Sequence, residues 1–179
     1  MPEHAQVNTT AVGRDSLEQM LDRQRAEIAK ILDGLTEEEA RRRLVPSLTT
    51  PLGLVKHAVF VEKVWFHSRV AARSRREVGL PDTVDESFLL ADEDTITSVR
   101  KEFESACEGS RAIAAQHPDL EQQYRWDRGE ASLHFIYTHV IQEFARHAGH
   151  GDILVEQITA ARTSDDTHPT PETTGIRQR

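Results

Sequence analysis

The 179-residue sequence contains a single cysteine and no apolar run that approaches the roughly 20 residues needed to cross a bilayer. One cysteine cannot form a disulfide within the chain, which argues against a small secreted scaffold held by disulfides. The opening residues, MPEHAQVNTT, lack the basic segment followed by an apolar segment that marks a signal peptide. These absences predict a cytoplasmic protein with no membrane partner.

Basic residues are also scarce relative to acidic ones. The chain has 22 lysines and arginines against 30 aspartates and glutamates, which gives a formal net charge of -8. A nucleic-acid-binding protein needs a basic surface to neutralise phosphates, so this balance argues against nucleic acid as a partner. Hydrophobic residues make up 37% of the chain and charged residues 29%, which is typical of a folded globular protein.

The two ends of the chain lack the apolar periodicity of the middle. Residues 1–13 are polar, and residues 163–179 are rich in threonine, proline and charge. Neither segment can bury enough apolar surface to offset the entropy lost on ordering, so both are predicted to be disordered tails. A single domain is predicted over residues 14–162, a length that suits one hydrophobic core.

Four amphipathic helices are predicted within this domain, because apolar residues recur there at steps of three and four. The predicted ranges are 16–34, 51–76, 95–116 and 132–161, with a short helix opened by a Thr36–Glu39 capping box after the first. No segment shows convincing strand alternation, although SFLLA is a candidate for a short extended piece. The predicted fold is therefore all-α, most simply a four-helix bundle with long connections between helices 2 and 3 and helices 3 and 4.

The fourth predicted helix directs two polar side chains into its buried face. At ~100° per residue, Ile136, Val140 and Leu154 lie in nearly one direction and define that face. Glu143 and His147 fall at its centre, one turn apart. An ionised carboxylate is costly to bury alone, so Glu143 needs a cation, a hydrogen-bond network or a raised pKa.

A metal ion is one way to satisfy this pair, and a facing helix would then supply a third ligand. His57 is the best candidate, because it lies on an otherwise apolar stripe of the second predicted helix. Two histidines and a carboxylate suit zinc, and also iron, nickel or manganese. Three protein ligands would leave positions for water or substrate, as in catalytic zinc sites. Spacing alone also allows a hydrogen-bonded Glu–His pair without a metal.

Five further residues are candidates for supporting or substrate-binding roles: Glu62, Trp65, His139, Arg146 and His150. His139 and His150 lie at the edge of the buried face and could orient the ligands. Glu62 could support the site, which is the role we favour, act as a fourth ligand, or be an exposed or ion-paired residue. Trp65 is either a core residue or a wall of the metal cavity, and Arg146 either meets an anionic substrate or pairs at the surface.

Two other features have weaker functional interpretations. Cys107 lies among apolar residues of the third predicted helix with no basic cluster to lower its pKa, so we expect a buried, unreactive thiol. The loop that contains Tyr124 and Trp126 could form a lid, and aromatic anchoring of a long loop explains these residues equally well.

The segments LTTPLGLVKHAVFVEKVWF and HVIQEFARHAGHGDILVEQI together carry a family resemblance. They resemble the DinB/YfiT-like metal-binding four-helix family, and the likeness extends over nearly the whole predicted domain. The nearest branch is the uncharacterised actinobacterial one, which is similar to the N-terminal domain of mycothiol-dependent maleylpyruvate isomerases. In those isomerases the earlier of the two late metal ligands is a glutamate, as Glu143 is here.

The resemblance implies a divalent metal, most simply zinc, held by His57, Glu143 and His147. It also implies a metal-dependent S-transferase or isomerase that uses a low-molecular-weight thiol such as mycothiol on a small electrophilic substrate. A homodimer is the assembly that the family suggests. Two alternatives stay open, namely a non-catalytic metal-stabilised bundle with a stress-linked binding or assembly role, and a metal-dependent hydrolase.

Overall fold

Helices dominate the computed structural model, which describes residues 10–165. The elements are α1 (Arg14–Lys30), α2 (Glu37–Ala40), α3 (Pro51–Glu62) and its π-helical continuation (Lys63–Val70), a 3-10 turn (Asp85–Phe88), α4 (Ile96–Ala115), β1 (Gln123–Trp126), β2 (Gly129–Ser132) and α5 (Leu133–Asp165). The long helices α1, α3, α4 and α5 are the four that the sequence predicts. The all-α bundle is thereby confirmed. No helix in the described part of the chain is both long and apolar enough to span a membrane.

Side-chain caps fix where several of these helices begin. Thr36 and Glu39 form the predicted capping box, in which each side chain accepts a hydrogen bond from the other residue's backbone N–H. Thr50 caps α3 by accepting from the N–H of Gly53 at 3.0 Å. The start of α1 differs from the prediction, because Gly13 at φ 62° turns the chain into the helix and leaves Ser16 inside it.

The helix predicted over residues 51–76 is shorter and less regular than expected. Its α-helical part ends at Glu62, and the chain continues as a π-helix from Lys63 to Val70. Ala72 then adopts φ 54°, a left-handed conformation that ends the helix. The wider π turns set the direction of the side chains over this segment, including Trp65 and Arg69.

Two local structures in the long connections were not predicted. The connection before α5 contains an antiparallel hairpin in which Tyr124 of β1 lies opposite Ala131 of β2, and both side chains are buried. Four-residue strands are too short for alternation to be recognised in the sequence. The connection after α3 forms the 3-10 turn around Ser87, where SFLLA was expected to begin an extended piece.

The core lies where α1 and α3 pack against α5 and where α4 packs against α3. Its largest fully buried apolar side chains include Leu21, Ile28, Leu54, Phe66 and Phe144. Burial of one such side chain contributes about 1.5–3 kcal/mol. Because α3 and α5 are neighbours, this packing also brings His57 of α3 close to the middle of α5.

The predicted tails fall mostly outside the described residues. Of these segments the structure describes residues 10–13, which precede α1, and residues 163–165, which continue α5. Arg162 holds this part of α5 to the bundle, because its guanidinium donates to both carboxylate oxygens of Glu39 at 2.6 Å. The helix α5 continues to Asp165.

Candidate metal centre

The structure brings His57, Glu143 and His147 together between α3 and α5. One potential ligand atom from each residue lies within 4.8 Å of the other two. The Nε2 atom of His147 is 3.5 Å from Oε2 of Glu143, as expected for side chains one helical turn apart. The rings of His57 and His147 meet edge to face, with centroids 4.8 Å apart.

A hydrogen-bond chain fixes which nitrogen of His57 is available. Its Nδ1 atom is 2.7 Å from the hydroxyl oxygen of Ser87, and that hydroxyl donates its own hydrogen to the carbonyl of Val84. Ser87 can therefore only accept from His57, which places the ring hydrogen on Nδ1. The Nε2 atom is left with a lone pair, which is the form of histidine that binds a metal.

Packing holds the His57 ring neutral as well as oriented. The ring stacks on Phe88 at a centroid distance of 4.1 Å and an interplanar angle of 10°, and the residue is 4% exposed. Burial, with an additional contribution from charge repulsion by His147, lowers the pKa of His57 to about 3. Neither Ser87 nor Phe88 was identified from the sequence, because the turn that presents them has no distinctive motif.

Glu143 supplies a negative charge beside two imidazoles. A hydrogen bond from His147 holds the pKa of its carboxyl below the usual range, and the positive charge of Arg146 acts in the same direction. The Glu143 side chain is 20% exposed, so solvent reaches the cluster from this side. The Nδ1 atom of His147 is buried and has no hydrogen-bond partner in the described part of the chain. The protein alone therefore leaves this imidazole incompletely satisfied.

These donors fit a divalent metal. A tetrahedral zinc ion with bonds of about 2.05 Å places its ligand atoms about 3.3 Å apart. The 3.5 Å between Glu143 and His147 matches that edge, and small side-chain movements would close the remaining separation to His57. A neutral imidazole at His57, an ionised carboxylate at Glu143 and the Nε2 atom of His147, 3.5 Å from that carboxylate, are the donors that such an ion needs.

A family model described as mycothiol-S-transferase matches residues 16–160. The chain belongs to the mycothiol-S-transferase family. This family is DinB-like, so the membership confirms the resemblance seen in the sequence. The matched residues contain all three members of the cluster and both segments that carry the resemblance. A search of curated proteins gave no match.

In this mycothiol-S-transferase family member, Glu62 lies away from the candidate metal centre. Its two carboxylate oxygens accept from Nε and Nη2 of Arg25 at 2.8 and 2.9 Å, and Glu62 is fully buried. Of the alternatives considered for Glu62, the structure therefore shows the ion pair. Cys107 lies beside it, with Sγ 3.8 Å from Oε1 of Glu62. Burial, reinforced by the Glu62 charge, raises the pKa of the Cys107 thiol, as expected for an unreactive cysteine.

Trp65 and His139 belong to an aromatic wall next to the metal centre, formed by Trp65, Trp126, Phe135 and His139. Trp65 contacts His139 at a centroid distance of 4.6 Å and Trp126 at 5.4 Å. His139 lies one turn before Glu143 on α5, and burial lowers its pKa. Trp65 is thus both a core residue and a wall beside the site.

The last two predicted residues lie at the rim. Arg146 is exposed and donates to Oε1 of Glu143 at 3.2 Å, which is the surface pairing considered for it. His150 is exposed, and its ring contacts that of His147 edge to face at 5.6 Å. Tyr124 is anchored rather than free to act in a lid, because its hydroxyl is 2.9 Å from Nδ1 of His117.

Proposed function

We propose that this protein is a metal-dependent S-transferase that joins a low-molecular-weight thiol of the mycothiol type to a small electrophilic substrate. The observation that carries the proposal is the convergence of His57, Glu143 and His147 in a chain of the mycothiol-S-transferase family. The family supports the thiol, and the donor set supports the metal.

His57, Glu143 and His147 would hold the ion, with zinc as the metal we propose first. When bound, such an ion lowers the pKa of a coordinated thiol, so that the thiolate is available at neutral pH to attack an electrophilic carbon. Ser87 would keep Nε2 of His57 directed at the ion, and Glu143 would offset part of its positive charge. Three protein ligands leave room for the thiol.

The surroundings of the cluster support a binding role for its open side. Glu143 and His147 are the partly exposed members, at 20% and 13%, so substrates would enter past Glu143 and its partner Arg146. The aromatic wall begins one turn away at His139 and offers apolar surface to an organic electrophile. Phe88 closes the opposite side by stacking on His57 and limits access of water there.

Metal content and thiol binding test this proposal together. Protein purified without chelator should contain about one divalent ion per chain, and His147→Ala should lose it, while His134→Ala, an exposed histidine on the same helix, should keep it. Mycothiol should change the visible spectrum of the cobalt-loaded protein and should be conjugated to an electrophile such as 1-chloro-2,4-dinitrobenzene.

Two results would count against the proposal in different ways. Full metal content in His147→Ala would show that the ligand assignment is wrong. A cobalt spectrum that mycothiol does not change, together with no conjugation, would leave the metal with a structural role or with hydrolysis.

A further inference from the structure

A cavity of about 690 Å³ lies between the end of the π-helix and strand β1. Its volume falls within the range of about 300–1,000 Å³ that is typical of small-molecule sites. Four arginines contribute to its lining, Arg69, Arg73, Arg75 and Arg125, and the one carboxylate among the lining residues is that of Asp127. The cavity is therefore cationic in a chain whose net charge is -8.

The single carboxylate does not neutralise this cluster. Asp127 is 89% exposed and contacts Arg69 at 3.2 Å. Arg73 and Arg125 form no ion pair with any carboxylate of residues 10–162. Glu130 lies opposite Arg125 in the hairpin register without pairing with it, and Glu77 acts on Arg73 only through longer-range attraction.

Arg69 is the most confined of these cations. Its guanidinium carbon is 4.0 Å from the centre of the Trp65 ring and 5.6 Å from that of Trp126, and its side chain is only 14% exposed. Its one side-chain hydrogen-bond partner in the described residues is Asp127. A guanidinium has five N–H donors, so most of its hydrogen-bonding capacity is free for a ligand in the cavity.

The backbone brings the next two arginines to the same cavity. Ala72 adopts the left-handed conformation at φ 54°, which is unfavourable for a residue other than glycine. This turn ends the π-helix, and Arg73 and Arg75 follow it along the cavity edge. Arg75 is held in place by donating to the backbone carbonyls of Pro81 and Asp82.

We infer that this cavity binds a small molecule carrying at least two negative charges, as carboxylates or phosphates. Arg69 is the anchoring cation because the tryptophans hold it rigidly, and Arg73 and Arg125 supply charge at the opening. Binding of such a molecule does not require a metal ion, because the arginines of the cavity carry positive charge that Asp127 only partly neutralises.

Two aromatic dianions, phenyl phosphate and isophthalate, test the inference with the full chain. Binding can be followed by intrinsic fluorescence, because the two tryptophans of the chain, Trp65 and Trp126, both contact Arg69. At least one dianion should give a saturable change, and the neutral analogue benzyl alcohol should not. Binding of one dianion alone identifies phosphate or dicarboxylate as the ligand chemistry.

Charge-removing variants locate the binding. Arg73→Gln and Arg125→Gln should each weaken binding about tenfold, as expected for the loss of a charge-assisted contact. Arg76→Gln removes the same charge from an exposed position outside the cavity lining and should change affinity less than about twofold. Arg69→Lys keeps the charge but loses the planar donors and should also weaken binding.

The inference is overturned if neither dianion binds saturably, or if Arg76→Gln weakens binding as much as Arg125→Gln does. His147→Ala separates it from the proposed transferase function. That variant should keep its dianion affinity even where metal binding is lost.

Discussion

Ser87 accepts a hydrogen bond from Nδ1 of His57 over 2.7 Å and donates a hydrogen bond from its own hydroxyl to the backbone carbonyl of Val84. A loop residue thereby determines which ring nitrogen of a helix residue is available. His147 lacks the corresponding support, since its Nδ1 is buried without a partner in the described residues. Of the two imidazoles of the candidate site, that of His57 is therefore held in a metal-binding tautomer by a hydrogen bond, and that of His147 is not.

Removal of the Ser87 hydroxyl should weaken metal binding through His57. We expect Ser87→Ala to lower metal affinity by about 10- to 100-fold, the usual cost of losing a hydrogen bond to a ligating histidine. Competition with a chromophoric chelator would measure the affinity, and ¹⁵N chemical shifts of the His57 ring in metal-free protein would report the tautomer. Ser87→Thr should retain both properties. An unchanged Nδ1–H tautomer in Ser87→Ala would contradict this assignment.

Removing one partner of the Arg25–Glu62 pair should destabilise the protein, whereas replacing both partners together should be tolerated. Glu62→Ala removes the buried partner of Arg25 and leaves its guanidinium paired only with the half-exposed Asp22 among the described residues, so it should lower the free energy of unfolding by about 3 kcal/mol. The double change Arg25→Met and Glu62→Leu should recover most of that loss, because it removes both buried charges. Urea unfolding measures each value. Glu27→Ala breaks an exposed pair with Lys30 and should cost less than about 1 kcal/mol.

The thiol of Cys107 should be unreactive while the protein is folded. Burial and the nearby Glu62 charge raise the pKa of this thiol, so little thiolate forms from neutral to mildly alkaline pH. Iodoacetamide should therefore modify Cys107 only after unfolding in denaturant, as mass spectrometry can determine. Rapid modification of the native protein that accelerates with pH would show that the thiol is accessible.

Acid should destabilise the metal-free protein partly through His57. The pKa of this ring is about 3 in the folded chain and about 6.5 when unfolded, so between these values the unfolded state binds more protons. The free energy of unfolding therefore carries no penalty from His57 above about pH 6.5. It decreases as the pH drops from there toward 3.

The variant His57→Asn isolates that contribution from other acid-sensitive groups such as Asp22 and Asp94, whose pKa values are also depressed. Urea unfolding at several pH values should show a smaller loss of stability on acidification in this variant than in the wild type. Equal losses would show that His57 does not titrate as described.

The sequence predicts the bundle and the inward-facing positions of His57, Glu143 and His147 because both follow from helical periodicity. Ile136 and Val140 define the buried side of α5, and the same angular arithmetic places Glu143 and His147 on it. The Thr36 capping box is equally local, since its two hydrogen bonds join residues three positions apart. Such features need no knowledge of distant contacts.

What the sequence does not predict depends on contacts between distant segments. Ser87 reaches His57 across 30 positions, and Arg25 reaches Glu62 across 37. The pairing of Glu62 cannot be inferred from its neighbours on α3, because its partner Arg25 lies on α1. The short strands of the hairpin are stabilised by packing of Tyr124 and Ala131 against the bundle rather than by a strong intrinsic preference.

The π-helix from Lys63 to Val70 has a consequence for divergence among relatives. A π turn holds about one residue more than an α turn, and in this segment Arg69, four positions after Trp65, lies over the Trp65 ring. Replacing these π turns by α-helical turns would redirect Arg69 relative to Trp65, whereas His57, which lies in the α-helical part of α3, would keep its place. Relatives that differ only in these turns would therefore differ at the proposed anion-binding cavity and keep the proposed metal ligand His57.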